Sequence, residues 1–358
     1  MPRLDVARCR LINQHIARAK FAKPEDEVRW LGAVQAQDYA AAKWSLGLRL
    51  RNAIDADIEQ AFNDGRILRT HVLRPTWHFV APADIRWLLM LTAPRVHAAS
   101  AFMYRQQELD SVLFKRTNTV LTQALRGGKQ LTRDELRVKL EQARVIVHND
   151  LRMTYIVMRA ELDGIICSGA RRGKQFTYAL LDERVPPSKT LNRDEALAEL
   201  AHRFYSSRGP ATVQDFSKWS GLTVADARSG LEAVRGSLHQ EIFAGQTYWL
   251  AKDTPSVKVE SSTAHLLSIY DEYLSGYKDR SAIMDASYLA KLREQGNANS
   301  YVVVIAGRVV GTWKRTIGKD AVVIQTKLVK SLSQTAEQAI ERAATQYGKF
   351  LGLRATLA

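Results

Sequence analysis

The stretch that decides the fold is residues 131–181, LTRDELRVKLEQARVIVHNDLRMTYIVMRAELDGIICSGARRGKQFTYALL. Thr132 is followed three residues later by Glu135, the spacing of a capping box, so a helix is predicted to begin here. Residues 150–166 carry apolar side chains at helical spacing. The first two thirds of this stretch therefore predict two successive helices.

Two β-rich pieces follow these helices, at 165–170 and 176–181. They are joined by the basic sequence Arg171-Arg172-Gly173-Lys174, whose glycine favours a turn. A further helical pattern precedes the stretch at 119–126. Three helices followed by a hairpin is the winged-helix plan, and the basic link would form the tip of the wing.

Residues 194–250 repeat this order of elements without repeating the sequence itself. A helical segment stops at Gly209-Pro210. Thr212 and Thr223 are placed to cap a helix–turn–helix pair. A hairpin follows, with its turn at Ala244-Gly245.

The first hundred residues are a looser version of the plan. Capping and periodicity predict helices, two extended pieces that form a wing, and two more helices that support it. These are, in order, helices at 4–20, 25–35 and 55–64, extended pieces at 67–73 and 76–81, and two helices within 83–115.

The last hundred residues differ from the rest. Short β runs at 301–315 and 321–329, with a turn at Ala306-Gly307, precede a helix at about 335–350. The sequence thus predicts an α+β protein with three tandem winged-helix domains and a small, β-rich, barrel-like C-terminal domain. The expected domains are 1–115, 116–187, 188–255 and 256–358.

The formal net charge is +15, which favours an anionic partner such as nucleic acid, although a basic surface that binds nothing is the alternative. Cys9 and Cys167 cannot form a disulfide framework or a paired-cysteine zinc site. No signal peptide and no run of about 18 apolar residues is present, so we expect no membrane association and a cytoplasmic, nucleoid-associated location.

Gln35 and Gln37 stand two residues apart in LGAVQAQDYAAAKWSLGLRL. On a helix they would point about 200° apart, whereas in extended backbone they share a side. We therefore expect the helix that begins near Pro24 to end near Gln35. The ordinary alternative to a functional site is that both glutamines lie at the end of a helix and hydrogen-bond the backbone there. Asp38 is adjacent, and alternation should point it away.

Two neutral amides can hold a water molecule but cannot act as a general base. They suffice only where the leaving group departs readily. A leaving group that already carries a positive charge is such a case, because its bond breaks with little acid catalysis. The protein would then have to position a water and stabilise a developing cation. A Gln-x-Gln site therefore suits a cationic leaving group and not a neutral one.

Arg74, Thr76 and His78 lie in RTHVLRPTWHFV and share one face of an extended segment by the period-2 rule. Trp77 and Phe79 fall on the other face. The proline between Arg74 and Thr76 breaks a strand ladder, so the strand is expected at an edge or with a bulge. The ordinary interpretation of His78 is a structural histidine whose ring nitrogens are hydrogen-bonded within the protein.

The Gln-x-Gln motif followed by the LRPTWH run resembles the winged-helix DNA glycosylases of the AlkZ/YcaQ family over nearly the whole chain. Gln37 replaces the aspartate of the YcaQ branch, which indicates the AlkZ-like branch. The resemblance implies Gln35 and Gln37 as catalytic residues and Arg74, Thr76 and His78 as DNA-binding. It also implies monofunctional release of N7-alkylguanine in DNA repair, in some members with unhooking of interstrand cross-links.

The expected partner is double-stranded DNA carrying alkylated bases, bound by a monomer without metal or cofactor. Arg171, Arg172 and Lys174 are predicted to contact phosphates, a solvated basic turn being the alternative. The acidic residues of YDEYLSGYKDR (270–280) are expected to form a structural network with Arg280. The alternative function is a non-catalytic winged-helix transcription factor, which a dimer matched to a palindromic site would favour.

Overall fold

The computed structural model describes residues 5–254, 263–294 and 300–358. It is a mixed α+β protein, as predicted. The chain forms two compact units. The first contains Met1–Glu59, Ala198–Trp219 and Thr223–Ala358, and the second contains Gln60–Leu197 and Ser220–Leu222. Each unit is described by itself.

The helices of the described residues are α1 (Val6–Asn13), α2 (Pro24–Leu31), α3 (Tyr39–Arg49), α4 (Asp55–Asn63), α5 (Ile85–Gln106), α6 (Ser111–Leu125), α7 (Arg133–Gln142), α8 (Asp150–Leu162), α9 (Leu181–Arg184), α10 (Arg193–Arg208), α11 (Val213–Ser220), α12 (Val224–Val234), α13 (Glu272–Ser275), α14 (Ala286–Glu294) and α15 (Gln334–Leu351). The strands are β1 (Val34–Gln35), β2 (Leu68–Val72), β3 (Arg74–Val80), β4 (Leu131–Thr132), β5 (Ile166–Ser168), β6 (Thr177–Leu180), β7 (Leu238–Phe243), β8 (Gln246–Ala251), β9 (Ala264–Leu267), β10 (Val302–Ile305), β11 (Arg308–Ile317), β12 (Ala321–Leu328) and β13 (Arg354–Leu357).

The first two helices are shorter than predicted. α1 ends at Asn13 because His15 adopts a left-handed φ of 55°, which no helix can continue. α2 ends where Gly32 adopts a φ of 73°. The next helix, α3, was not predicted, and it begins with Asp38 as its N-cap.

In the second unit, β2 and β3 pair as an antiparallel hairpin with a bulge between His71 and Val72. Leu73 takes a positive φ of 63° at the turn. The bulge predicted from the proline is therefore confirmed. The two helices expected within 83–115 are α5 and the start of α6, which continues to Leu125.

The stretch that decided the prediction folds within this unit as expected. After α6, its elements follow the order β4, α7, α8, β5 and β6, and the sheet order is β4-β6-β5. The side chains of Thr132 and Glu135 form both bonds of the capping box at the start of α7. The chain turns between β5 and β6 through the basic sequence.

In the first unit, α10 ends at Arg208, before Gly209-Pro210. Thr212 exchanges hydrogen bonds with Asp215 at the start of α11. Thr223 forms a capping box with Asp226 at the start of α12. β7 and β8 form the expected hairpin with its turn at Ala244-Gly245.

The C-terminal sheet has five strands in the order β13-β12-β11-β10-β9, which confirms a β-rich region. Helix α15 packs on this sheet and against α3. Gly47 of α3 allows the close approach, because a Cβ at this position would lie 2.3 Å from the Phe350 ring. Trp44, also on α3, donates its indole N–H to the carbonyl of Leu266 in β9. Helix α3 is thereby fixed to the C-terminal sheet.

Candidate active site

Gln35 and Gln37 both lie outside the helices, as predicted. Gln35 ends the short strand β1, and Gln37 follows in a bend before α3. Ala36 between them is fully buried, whereas Gln35 is half-buried and Gln37 is exposed. This alternation is that of extended backbone, and it places the two amides on the accessible side.

A buried ion pair fixes the backbone on which Gln35 stands. Glu272 accepts the Gln35 backbone N–H at 2.8 Å through one carboxylate oxygen. Its other oxygen pairs with Arg208 at 2.6 Å, and both side chains are fully buried. Arg208 also donates to the carbonyls of Leu31 (2.6 Å) and Ala33 (2.9 Å). The turn between α2 and the Gln-x-Gln motif is thus held by one arginine and one glutamate.

Trp219 completes this arrangement. Its indole N–H donates to Glu272 at 2.9 Å, and its ring lies 4.2 Å from the Arg208 guanidinium. A buried charge pair is stable only when the remaining polar atoms are bonded. Here the Glu272 carboxylate receives bonds from a guanidinium, an indole and a backbone amide.

The YDEYLSGYKDR segment supplies a second buried pair, between Asp271 and Arg49. The guanidinium donates to both carboxylate oxygens, at 2.7 and 2.8 Å. Burial alone lowers the pKa of Arg49, but Asp271 outweighs it and the pKa is raised. The predicted structural network around the acidic residues of this segment is present, and Arg49 and Arg208 belong to it. Both arginines are remote in sequence, so spacing could not identify them.

Asp38 and Lys43, which follow the motif in sequence, have structural partners. Asp38 caps α3 by accepting the Ala41 N–H at 3.0 Å. The ammonium of Lys43 pairs with Asp55 at 2.7 Å and Glu59 at 2.8 Å, and its side chain is buried. Among the described residues, no group of three or more histidines, cysteines and carboxylates could hold a metal ion.

In the second unit, β3 brings Arg74 and His78 together. A guanidinium nitrogen of Arg74 lies 3.3 Å from Nε2 of His78, and Nδ1 of His78 lies 2.9 Å from the Thr76 carbonyl. Because arginine only donates and a carbonyl only accepts, this geometry fits the neutral Nδ1–H tautomer. His78 is fully buried. The buried hydroxyl of Thr76 has no hydrogen-bond partner within the described segments.

The three basic residues of the β5–β6 turn, also in the second unit, have different surroundings. Arg171 lies 4.9 Å from the Phe176 ring and donates to the Lys174 carbonyl. Arg172 is exposed and pairs with Glu135 at 2.7 Å. Lys174 is exposed. The Thr132 backbone N–H and Arg172 together lower the pKa of Glu135.

A ladder of stacked rings and guanidinium groups joins this turn to β2 and β3, and sequence reasoning missed it. Arg69 lies 4.6 Å from the Phe176 ring and 4.3 Å from the Trp77 ring. Trp77 packs on His71, whose ring hydrogen-bonds the buried carboxylate of Glu161. The signal that could have indicated it is the presence of Arg69, His71 and Trp77 on the two strands of one predicted hairpin.

Comparison with known proteins agrees with this architecture. A family model described as DNA glycosylase AlkZ-like matches residues 28–350. An interstrand DNA cross-link repair glycosylase of Streptomyces sahachiroi is 25% identical over 307 residues, which cover 81% of each protein. A solved structure, the Streptomyces sahachiroi DNA glycosylase AlkZ, matches with a TM-score of 0.81 and 21% identity, covering 99% of this chain and 98% of that one. At that identity the likeness shows the fold alone.

The family match defines the class of protein as an enzyme, a DNA glycosylase. The chain belongs to the AlkZ-like DNA glycosylase family. The predicted family is therefore confirmed. In the described part of the chain, no helix is long and apolar enough to cross a membrane.

Proposed function

We propose that this protein hydrolyses the N-glycosidic bond of cationic N7-alkylguanine in DNA and leaves an abasic site. Gln35 and Gln37 are the catalytic residues of this proposal. The observation that carries it is the extended Gln-Ala-Gln backbone, with both amides on the accessible side and Ala36 buried. The Glu272–Arg208 pair fixes this backbone before substrate arrives, as preorganised catalysis requires.

The two amides hold the attacking water and face the developing positive charge of the sugar. An amide oxygen accepts a hydrogen bond from the water, and its dipole favours a nearby cation. Neither amide can protonate a leaving base. The reaction therefore relies on the positive charge that alkylation at N7 has already placed on the guanine.

The surroundings of Lys43 favour simple hydrolysis. A lysine that attacks C1′ needs a neutral amine, which a desolvated pocket or a neighbouring cation would provide. Lys43, close to the motif, is instead held by two carboxylates. We infer a monofunctional enzyme that forms no covalent intermediate with DNA.

We further propose that three tandem winged-helix modules, at 1–115, 116–187 and 188–255, bind the duplex, and that a β-rich C-terminal domain follows at 256–358. The repeated order of helices and hairpin supports this assignment. Arg74, Thr76 and His78 are proposed to contact DNA, and the half-buried Arg74 carries the guanidinium best suited to a phosphate. Arg171, Arg172 and Lys174 are proposed to bind phosphates.

The natural substrate is proposed to include interstrand cross-links, because one relative is named for their repair. A cross-link through N7 of guanine carries the same positive charge as a simple adduct. The protein would act as a monomer on chromosomal DNA, since one chain contains both the Gln-x-Gln motif and the proposed DNA-binding modules.

The test is a comparison of two duplexes of identical sequence, one with a single 7-methylguanine and one with a single uracil. We expect release of 7-methylguanine and none of uracil, measured by chromatography of the freed base. Release of neither base, together with tight binding to a palindromic duplex, would instead indicate a non-catalytic regulator.

A further inference from the structure

Tyr301, just before β10, and Arg315, on β11, lie beside Asp38, the residue that follows the Gln-x-Gln motif. The hydroxyl of Tyr301 interacts with the carboxylate of Asp38, the residue that follows Gln37. The guanidinium carbon of Arg315 lies 4.5 Å from the centroid of the Tyr301 ring. The same guanidinium also interacts with Asp38. Both Tyr301 and Arg315 are half-exposed.

An aromatic cluster holds this arrangement in place. The Tyr301 ring packs edge-on against Trp313 at 5.1 Å, and Trp313 packs against Tyr347 at 5.2 Å. Tyr347 in turn packs against Trp44, at 4.9 Å, on the helix that Asp38 caps. Tyr301 is the half-exposed end of a cluster whose other three rings are buried. Tyr301 and Asp38 are thus fixed to the same packed elements.

The ionisation of Tyr301 suits a fixed donor. Burial raises the pKa of Tyr301, Arg315 opposes that shift, and Asp38 reinforces it. The phenol therefore stays protonated at neutral pH and can donate to Asp38. An arginine stacked on a ring keeps its planar N–H edge available for an oxyanion, and this edge matches the geometry of a phosphate.

The charges around the motif distinguish Arg315 from Lys43. Lys43 is already paired with Asp55 and Glu59. Asp38 already accepts the backbone N–H of Ala41. The Arg315 guanidinium hydrogen-bonds the hydroxyls of Tyr301 and Tyr347 and lies near the Asp38 carboxylate. These partners orient it, and a guanidinium has five N–H donors, more than two hydroxyls use, so it can also bind a ligand.

We propose that Arg315 binds a DNA phosphodiester next to the nucleotide on which Gln35 and Gln37 act, and that Tyr301 positions its guanidinium. This inference rests on the proposed function. It identifies a phosphate subsite in the C-terminal sheet, separate from the basic turn at Arg171-Arg172-Gly173-Lys174. Arg315 would anchor the strand, and the Gln pair would carry out the chemistry.

The test compares Arg315→Gln with Lys314→Gln, which removes the same charge from the adjacent residue of β11. Strand alternation places Lys314 on the opposite face of the sheet, where it is exposed. For Arg315→Gln we expect KM for 7-methylguanine release to rise about tenfold with kcat nearly unchanged. The salt dependence of duplex binding should fall by about 0.9 in slope. Lys314→Gln should change KM by less than about twofold.

Two further variants separate positioning from folding. Arg315→Lys keeps the charge and should restore the salt slope but not KM, whereas Tyr301→Ala should raise KM as Arg315→Gln does. Thermal unfolding of each variant is measured to check that the fold is kept. Equal effects of Arg315→Gln and Lys314→Gln, or an unchanged salt slope in Arg315→Gln, would overturn the inference. If the wild type releases no base, the proposed function fails, yet the salt slopes on undamaged DNA still decide whether Arg315 binds phosphate.

Discussion

One carboxylate oxygen of Glu272 accepts the backbone N–H of Gln35 at 2.8 Å, while the other pairs with Arg208 at 2.6 Å. A residue 237 positions away thus fixes the backbone of the first motif glutamine. Gln35 and Gln37 depend on a network whose components come from α2, α10, α11 and the YDEYLSGYKDR segment. The proposed catalytic pair and the residues that support it therefore come from separate parts of the sequence.

Replacing Glu272 with Ala should impair both stability and activity. It leaves the Arg208 guanidinium buried without its carboxylate, which costs about 3 to 5 kcal/mol of unfolding free energy. It also frees the Gln35 backbone, so base release should fall even at temperatures where the variant is folded. Chemical denaturation and release kinetics on the same preparation measure the two effects. Glu272→Gln is the control, because its amide oxygen still accepts the Gln35 N–H.

Neutralising Arg171, Arg172 and Lys174 together should weaken binding equally on unrelated DNA sequences. If all three contact phosphates, the slope of log affinity against log salt should fall by about 2 to 3 units. Fluorescence anisotropy over a range of salt concentrations measures it. The matched control neutralises Arg95, Arg105 and Lys115, three exposed cations on α5 and α6 of the same unit. Equal slopes in both triple variants would place the DNA elsewhere.

Borohydride should trap no protein–DNA adduct during turnover, because Lys43 is held by Asp55 and Glu59. Activity should also survive a chelator such as EDTA. Denaturing gel electrophoresis with labelled 7-methylguanine DNA tests both points, with a glycosylase that forms a Schiff base as the positive control. A trapped band that disappears in Lys43→Gln would show covalent catalysis and refute simple hydrolysis.

Acid should destabilise the protein partly through His265 on β9. Burial and then the charge of Arg49 lower the pKa of His265 from 6.5 to about 4. Because the folded state disfavours the protonated ring, the unfolded state takes up this proton first as the pH falls. The free energy of unfolding is therefore unaffected by His265 above pH 6.5 and decreases as the pH falls from 6.5 toward 4. The loss should reach about 3 kcal/mol at pH 4. Urea unfolding between pH 7 and pH 4 should show that the stability of His265→Leu depends less on pH than that of the wild type. Identical pH profiles of the two proteins would exclude a role of His265 in acid destabilisation.

The sequence predicted those features that depend on local chemistry. The capping box at Thr132, the N-cap at Thr223, the hairpin turns and the position of Gln35 and Gln37 outside the helix agree with the predictions from neighbouring residues. The caps and turns are fixed by backbone geometry or by a bond within three or four positions, whereas the Gln35 backbone is also held by the distant Glu272. Local patterns were sufficient for these elements.

Features that depend on distant contacts could not be predicted. Helix α3 has an almost wholly buried sequence without a clear polar face, because α2, α15 and the C-terminal sheet surround it. The partners of Asp271 and Glu272 are Arg49 and Arg208, at separations of 222 and 64 residues. No spacing rule joins such residues. The same holds for Tyr301 and Arg315, which only the folded sheet brings beside Asp38.

The central claim is that Gln35 and Gln37 catalyse release of a cationic base, and single-turnover kinetics on 7-methylguanine duplex DNA test it most directly. We expect Gln35→Ala and Gln37→Ala each to slow release by an order of magnitude or more, about 2 kcal/mol or more of transition-state stabilisation, without weakening DNA binding. Gln334→Ala, at an exposed glutamine on the first turn of α15, should release base at the wild-type rate. A Gln35→Ala, Gln37→Ala double variant with full activity would contradict the account.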